Sequence, residues 1–262
     1  MAAIDVIVLA GDRGPDDPLA QAAKVPGKTL VPVAGEAMLT RSLRGLAAWS
    51  RLGRIVLVAP ASAEYRDAAA ASGFDSKRRL IIEPDKSPSA SVGKALAAAG
   101  PARPIVLTTA DHVLIKPAWL DQLLACGGDA DLLVGLADYD QVMQRFPGSR
   151  RTRYRFSDRS VCGANLFLFR AGRADKMVER WRSIEQDRKR PWRVVSMLGW
   201  ANLARYLAGH LSLRAGFSAL SRALDVKVAA CLLEDPLAAV DVDSASDLAL
   251  VESVLAEGSS SC

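Results

Sequence analysis

Four residues stand where a lysine and carboxylates could handle phosphate and a hard metal ion. They are Lys28, Asp111, Asp241 and Asp243. Lys28 follows a long polar loop that itself follows the apolar run "IDVIVLAG" and carries Gly11, Asp12, Arg13 and Gly14. Glycines let backbone N–H groups approach a phosphate closely, and an arginine and a lysine can neutralise it. Asp111 ends the run "IVLTTAD", where an acid at the carboxyl end of a parallel strand enters the crevice in which such sheets bind ligands. Hard divalent cations favour carboxylate oxygens together with substrate phosphates. Asp241 and Asp243, in "AAVDVDSASDLALVE", fall on one side of an extended segment by the period of two. Two such charges are costly side by side unless a cation or water separates them. Each feature alone has a plainer reading: a surface loop, and an aspartate capping a turn. His112 reads as a neighbour of Asp111 and not as a ligand.

The elements that would position these residues alternate. Apolar runs at 4–10, 54–59, 79–82, 104–109 and 131–137 predict buried strands. Helical spacing at 38–50, 61–72 and 89–99 fills the gaps between the first four. Such alternation predicts a three-layer α/β/α fold with a predominantly parallel mixed sheet. Residues 145–160, "RFPGSRRTRYRFSDRS", predict a basic loop or edge hairpin, followed by strands at 161–169 and 226–233. A helical region from 173 to 224, broken at Pro191 and Gly199, lies between them. Its part from 196 to 224 is amphipathic and suits a core-facing helix pair or contact with a membrane surface or second copy. The closing helix should be capped by Ser244 or Ser246, with a disordered tail over 258–262. A single domain over 1–257 is expected, with 145–225 as an acceptor-side insertion.

Composition narrows the field. The 262 residues carry net charge +5, which suits anionic small molecules. Aromatics are 6% and are not interleaved with basic residues, so no nucleic-acid partner is expected. Cys126, Cys162, Cys231 and Cys262 show neither zinc spacing nor a disulfide framework, which predicts a reducing, cytoplasmic setting. No run reaches the roughly 20 apolar residues that span a bilayer.

The commonest phosphate loops are absent. Gly11 and Gly14 lack the G-x-G-x-x-G spacing, and no G-x-x-x-x-G-K-[ST] occurs. Taken together, the "LAG" loop, Lys28, "LVPVAGEAML", "TTAD" and "VDVDSASDLALVE" resemble the nucleotidyltransferases of the glycosyltransferase-A type fold. The molybdenum-cofactor guanylyltransferase-like group and the methylerythritol phosphate cytidylyltransferases are the most similar. The resemblance implies that Leu9, Ala10, Gly11 and Asp12 wrap a nucleoside triphosphate, with Thr109 and Ala110 beside it. Lys28 and Arg13 would be catalytic, Arg13 arriving earlier than in the family pattern. Asp111 and Asp241 would hold Mg2+, the family's second ligand being an asparagine in the molybdenum-cofactor group. "SPSASVGKAL" resembles the cytidylyltransferases' base-reading segment, which puts Glu83, Ser91 and Gly93 near the base and favours CTP, then GTP.

The implied reaction joins a phosphorylated small molecule (a sugar, polyol, cofactor or lipid-precursor phosphate) to the nucleotide, with pyrophosphate leaving. A phosphate monoester, with a second pKa near ~6, is already nucleophilic at neutral pH, so no general base is required. Arg145, Arg150, Arg151, Arg153, Arg155 and Arg159 crowd the segment expected opposite the triphosphate loop. Arginine's planar fork suits bidentate phosphate recognition, so Arg151 and Arg153, with Gly163 and Asn165, are the candidate acceptor contacts. A solvated basic loop is the plainer reading. "QDRKRPWR", 186–193, would cover the same pocket or touch anionic lipid. Two other readings compete: a glycosyltransferase of this fold, which usually carries D-x-D where this chain has Asp111-His112, and a non-catalytic nucleotide-binding protein. Either a monomer or a homodimer is compatible with the sequence.

Overall fold

The structure, a computed structural model, describes residues 3–11, 16–100, 104–126, 128–170 and 199–259. Runs of Val, Ile and Leu have no polar face to offer water, and they become strands covered on both sides. The strands are β1 (Ile4–Leu9), β2 (Pro32–Val33), β3 (Glu36–Ala37), β4 (Leu52–Val58), β5 (Arg79–Ile82), β6 (Ile105–Thr109), β7 (Leu132–Asp138), β8 (Tyr154–Arg155), β9 (Ser160–Phe169) and β10 (Val228–Leu233). The main sheet runs β10-β7-β9-β6-β1-β4-β5, with β8 hairpinned onto β9, while β2 and β3 pair apart. Among the described strands of the main sheet, β9 alone runs against the rest. The carboxyl ends of β5, β4, β1, β6, β7 and β10 therefore share one edge.

The helices are α1 (Pro18–Ala23), α2 (Met38–Ala47), α3 (Ala63–Ala71), α4 (Pro88–Ala99), α5 (Pro117–Ala125), α6 (Tyr139–Arg145), α7 (Trp200–Leu207), α8 (Leu213–Leu224) and α9 (Ala245–Ser259). Successive strand residues point to opposite faces, so Val6 and Val8 pack with α2, α3, α5 and α9, whereas Ile7 packs with α4 and α8. This is the expected three-layer α/β/α fold with a mostly parallel mixed sheet. Strand positions from the sequence agree with those observed to within about two residues at either end.

Local chemistry explains what the periodicity missed. The supposed continuous loop before Lys28 contains α1, because Asp17 caps it by accepting from the Leu19 and Ala20 amides at 3.0 and 3.2 Å, with Pro18 at the first turn. Ser244 accepts from the Asp247 amide at 3.3 Å at the start of α9, as one of the two cap candidates should. That helix continues through 258 and 259, which the sequence assigns to a disordered tail. Of the expected helical region, 173–198 lies outside the described residues, and with it the basic run 186–193.

The cysteines need a correction. Cys126, at the end of α5, is joined to Cys231 of β10 by a disulfide, with Cα atoms 5.6 Å apart. A sequence separation of 105 residues hides such a pair, since neither cysteine has a neighbouring partner in the chain. Closing so long a loop restricts the unfolded chain and stabilises the fold by about 2–4 kcal/mol. The double variant Cys126→Ala/Cys231→Ala should therefore melt roughly 4–16 °C lower in calorimetry. A wild-type midpoint that matches the variant's under oxidising conditions would show that the bond contributes nothing.

Candidate active site

The site forms at the shared carboxyl edge. Beyond β1, the Ala10 amide still bonds the Val58 carbonyl at 2.8 Å, and beyond β6 the Ala110 amide bonds the Leu9 carbonyl at 2.9 Å. These bonds hold Ala10 and Asp111 on adjacent chain ends. Lys28 begins a single 3-10 turn, Lys28–Leu30, and is almost wholly buried. Its Nζ donates to Asp111 Oδ2 at 2.7 Å and, in a very short contact, to Asp243 Oδ1. Burial alone would lower the Lys28 pKa, but the Asp111 and Asp243 carboxylates outweigh it and hold the ammonium above its ordinary range. Lys28 is a fixed positive charge at the end of β6.

Asp241 meets a different cation. Arg151 donates through Nη1 to Asp241 Oδ1 at 2.6 Å and through Nη2 to Asp247 Oδ1 at 2.8 Å and the Asp241 carbonyl at 3.2 Å. Asn165 donates to Asp241 Oδ2 at 2.5 Å. Its position comes from a bulge in β9. Val134 pairs with Phe167 and Leu136 with Gly163, so three residues of β9 face one of β7. Asn165 there takes a left-handed φ of 48°, which asparagine tolerates. Gly135 lies opposite, where a Cβ would come 3.0 Å from the Leu166 carbonyl oxygen. The Val242 amide bonds the Asp111 carbonyl at 3.1 Å and ties the two acidic segments together.

Of the two aspartates that the period of two would set on one side, Asp241 goes to Arg151 and Asp243 to Lys28. Burial, and then repulsion by Asp111, pushes the Asp241 carboxyl up to about 6, against the pull of Arg151. His112 is buried and stacked on Trp119, ring centroids 5.4 Å apart, and burial depresses it to about 4. A neutral, enclosed imidazole of this kind offers no base to a substrate.

Asp111 Oδ1 is buried and accepts no hydrogen bond. An orphaned carboxylate oxygen beside a second carboxylate whose charge is disfavoured fits a divalent cation. Among the described residues, no group of three acidic, histidine or cysteine side chains could hold an ion by itself. Asp111 and Asp241 would thus be joined by oxygens from outside the protein, which is how Mg2+ is usually held.

Other expected residues are distributed as follows. Asp12 and Arg13 lie outside the described residues. Leu9 and Thr109 end β1 and β6 side by side, and Gly11 is exposed just beyond β1. Glu83 is exposed after β5, its carbonyl accepting from Lys94 Nζ at 2.9 Å. Ser91 is buried in α4 and its Oγ accepts from the Asp85 amide at 2.8 Å, bracing the loop between β5 and α4, with Gly93 half-buried two residues on. Arg153 is half-exposed, donating to Ser160 Oγ at 2.9 Å and lying 4.9 Å over the Tyr139 ring. Gly163 is exposed on β9.

Arg151 departs from its expected place. Its side chain is 7% exposed and turned into the Asp241–Asp247 pair, not outward toward an acceptor. Two carboxylates at helix-entry positions outcompete water for a guanidinium that can reach both. Sequence reasoning also passed over Asp247, whose placement in the first turn of α9 was the available signal.

An edge that gathers carboxylates and a buried lysine beside a switch in strand direction is where open α/β sheets bind ligands. The chain belongs to the MobA-like NTP transferase family, whose domain model matches residues 6–196. A hypothetical transferase from Thermus thermophilus is 24% identical, with a TM-score of 0.79 over 95% of this chain and 100% of its own. The 4-diphosphocytidyl-2C-methyl-D-erythritol synthase of Anaerococcus prevotii DSM 20548 is 11% identical, with a TM-score of 0.59 over 97% and 96%. A Mycobacterium sp. strain JC1 homologue of Mycobacterium tuberculosis rv0371c is 15% identical, with a TM-score of 0.55 over 97% of both chains. At these identities the likeness is one of fold. No curated protein matches the chain. Among the described residues, no helix is long and apolar enough to cross a membrane.

Proposed function

We propose that this member of the NTP transferase family transfers a nucleotidyl group, CTP being the favoured donor and GTP the second, to a phosphorylated small molecule. A phosphate oxygen of the acceptor attacks the α-phosphorus in line. A new P–O bond forms, the α–β bridging bond breaks, and pyrophosphate departs with the electron pair. Positioning and charge neutralisation supply most of the rate in such transfers. Lys28 is the residue of this chain that meets the leaving charge, and it must exchange part of its hold on Asp111 and Asp243 for phosphate oxygens. Mg2+, held by Asp111 and Asp241, would neutralise charge on the phosphates when bound.

The observation that carries this reading is the pairing of buried Lys28 with Asp111, whose second oxygen has no partner. The order of strands supports the division of labour. From β6, the donor side extends across β1 and β4 to the Glu83–Ser91 loop after β5, three strand spacings or roughly 14 Å away. On the other side of β6 lies β9, with Gly163, Asn165 and Arg153 of its hairpin, which we assign to the acceptor. A triphosphate donor supports a cytoplasmic location, against which the disulfide is the contrary observation.

Thermal shift with the four triphosphates and Mg2+ tests the donor. CTP should raise the midpoint most, because a pocket that hydrogen-bonds one base edge leaves polar groups unpaired with another. Equal stabilisation by all four would sink the base-specific pocket. Release of pyrophosphate from a triphosphate, rather than of a nucleotide from a nucleotide sugar, separates this activity from glycosyl transfer.

A further inference from the structure

Resting on the nucleotidyl-transfer reading, we infer that the acceptor phosphate carries an apolar chain, which lies in a cavity between the sheet and helices α7 and α8. The cavity has a volume of about 670 Å³, within the ~300–1,000 Å³ range of small-molecule sites. Leu136, Val161 and Phe167 of β7 and β9 form its floor, and Leu203, Phe217 and Leu220 of α7 and α8 its roof. Protein interiors leave few voids larger than a water molecule. A space open at one side and lined mostly by apolar side chains is suited to apolar ligands.

Its place relative to the reacting groups is what makes it an acceptor site. Gly163 and Asn165 line the cavity, and the Asn165 amide donates to Asp241. One residue therefore borders the apolar space and bonds the carboxylate cluster. A phosphate set beside Asp241 would leave whatever it esterifies pointing along this wall. A sugar or polyol there would bury hydroxyls against carbon without partners, at a cost of about 1–3 kcal/mol each. An alkyl or isoprenoid chain gains by the same burial.

Helix α7 supplies the second observation. It is amphipathic, yet none of its residues is buried. Trp200, Leu203 and Leu207 fall on one stripe by helical spacing. Leu203 reaches the cavity, while Trp200 and Leu207 remain 65% and 75% exposed. The stripe thus runs from the cavity wall out to solvent, which is the path by which an apolar chain would enter. Asn202 and Tyr206 are the polar groups that α7 brings to the wall, the Tyr206 hydroxyl accepting from the Arg155 amide at 3.4 Å.

Calorimetric titration with octyl, decyl and dodecyl phosphate, each below its micelle-forming concentration, tests this without nucleotide. One site per chain is expected, with affinity rising about fourfold per methylene until the cavity is filled. Leu203→Trp would fill part of the cavity from a helix with no buried residue, and should weaken dodecyl phosphate at least ~10-fold while CTP still raises the melting midpoint. Affinity independent of chain length, or a Leu203→Trp variant that binds as wild type does, would overturn the inference. So would a dimer in sedimentation that Leu207→Asp dissociates, with no alkyl phosphate bound, for the stripe would then belong to a second copy. Turnover of a triphosphate with short polar phosphates alone would refute the chain site and leave nucleotidyl transfer standing. Alkyl binding without pyrophosphate release under any acceptor would do the reverse.

Discussion

Asp111→Asn should lower turnover of the preferred triphosphate at least ~100-fold and weaken the dependence of rate on Mg2+, while the melting midpoint moves by only a few degrees. The substitution keeps the size of the side chain at the end of β6 and keeps an oxygen able to accept from Lys28 at its 2.7 Å distance. What it removes is the charge on the oxygen that accepts no hydrogen bond. A cation and its ligands that stabilise developing charge contribute several kcal/mol to the transition state, so the loss of one ligand's charge is felt in rate and not in folding. Pyrophosphate release across a magnesium titration checks this. An Asp111→Asn enzyme with wild-type turnover at saturating Mg2+ would show that the metal is held elsewhere. Asp243 would follow as the next candidate, with the prediction that its replacement removes one of the carboxylates that Lys28 contacts.

The sequence was most readable where a single physical pattern decided the outcome. Short apolar runs separated by helical segments read as strands covered on both sides, and Asp111 at the end of one of them could be placed at the edge crevice. Lys28 was legible by type and neighbourhood, although not its burial, which depends on how the turn after α1 folds back. The short α1 escaped because its signal is a cap and a proline, not a hydrophobic period. The Cys126–Cys231 bond and the bulge that aims Asn165 are consequences of strand register, and register is set by contacts between residues far apart in sequence. The arginine-rich segment misled for a related reason. Charge density at 145–159 suggested a surface for phosphate, but only the arrangement of β9 and α9 decides which arginine stays in water and which is drawn inward.

Arg151 is the arginine drawn inward, and its replacement should have its largest effect on stability. Arg151→Ala would leave Asp241 and Asp247 without their guanidinium, and the Asp247 side chain is only 8% exposed. Removing one partner of a buried ion pair costs about 3–5 kcal/mol, because the remaining charge keeps its desolvation penalty and loses the attraction that offset it. In a chain of this size that corresponds to a fall of roughly 6–20 °C in the melting midpoint. Arg151→Lys should recover part of the loss, since an ammonium restores the charge but cannot bridge both carboxylates with a planar fork. Activity should fall as well, with turnover affected more than the acceptor KM, since Asp241 would lose the guanidinium that orients it together with Asn165. Calorimetry beside steady-state kinetics distinguishes the two roles. An Arg151→Ala protein that melts as wild type does but needs far more acceptor would mean that the side chain swings outward to bind the acceptor phosphate when substrate arrives. An early melt with reduced turnover fixes it as the brace that sets the Asp241 carboxylate against Asp111.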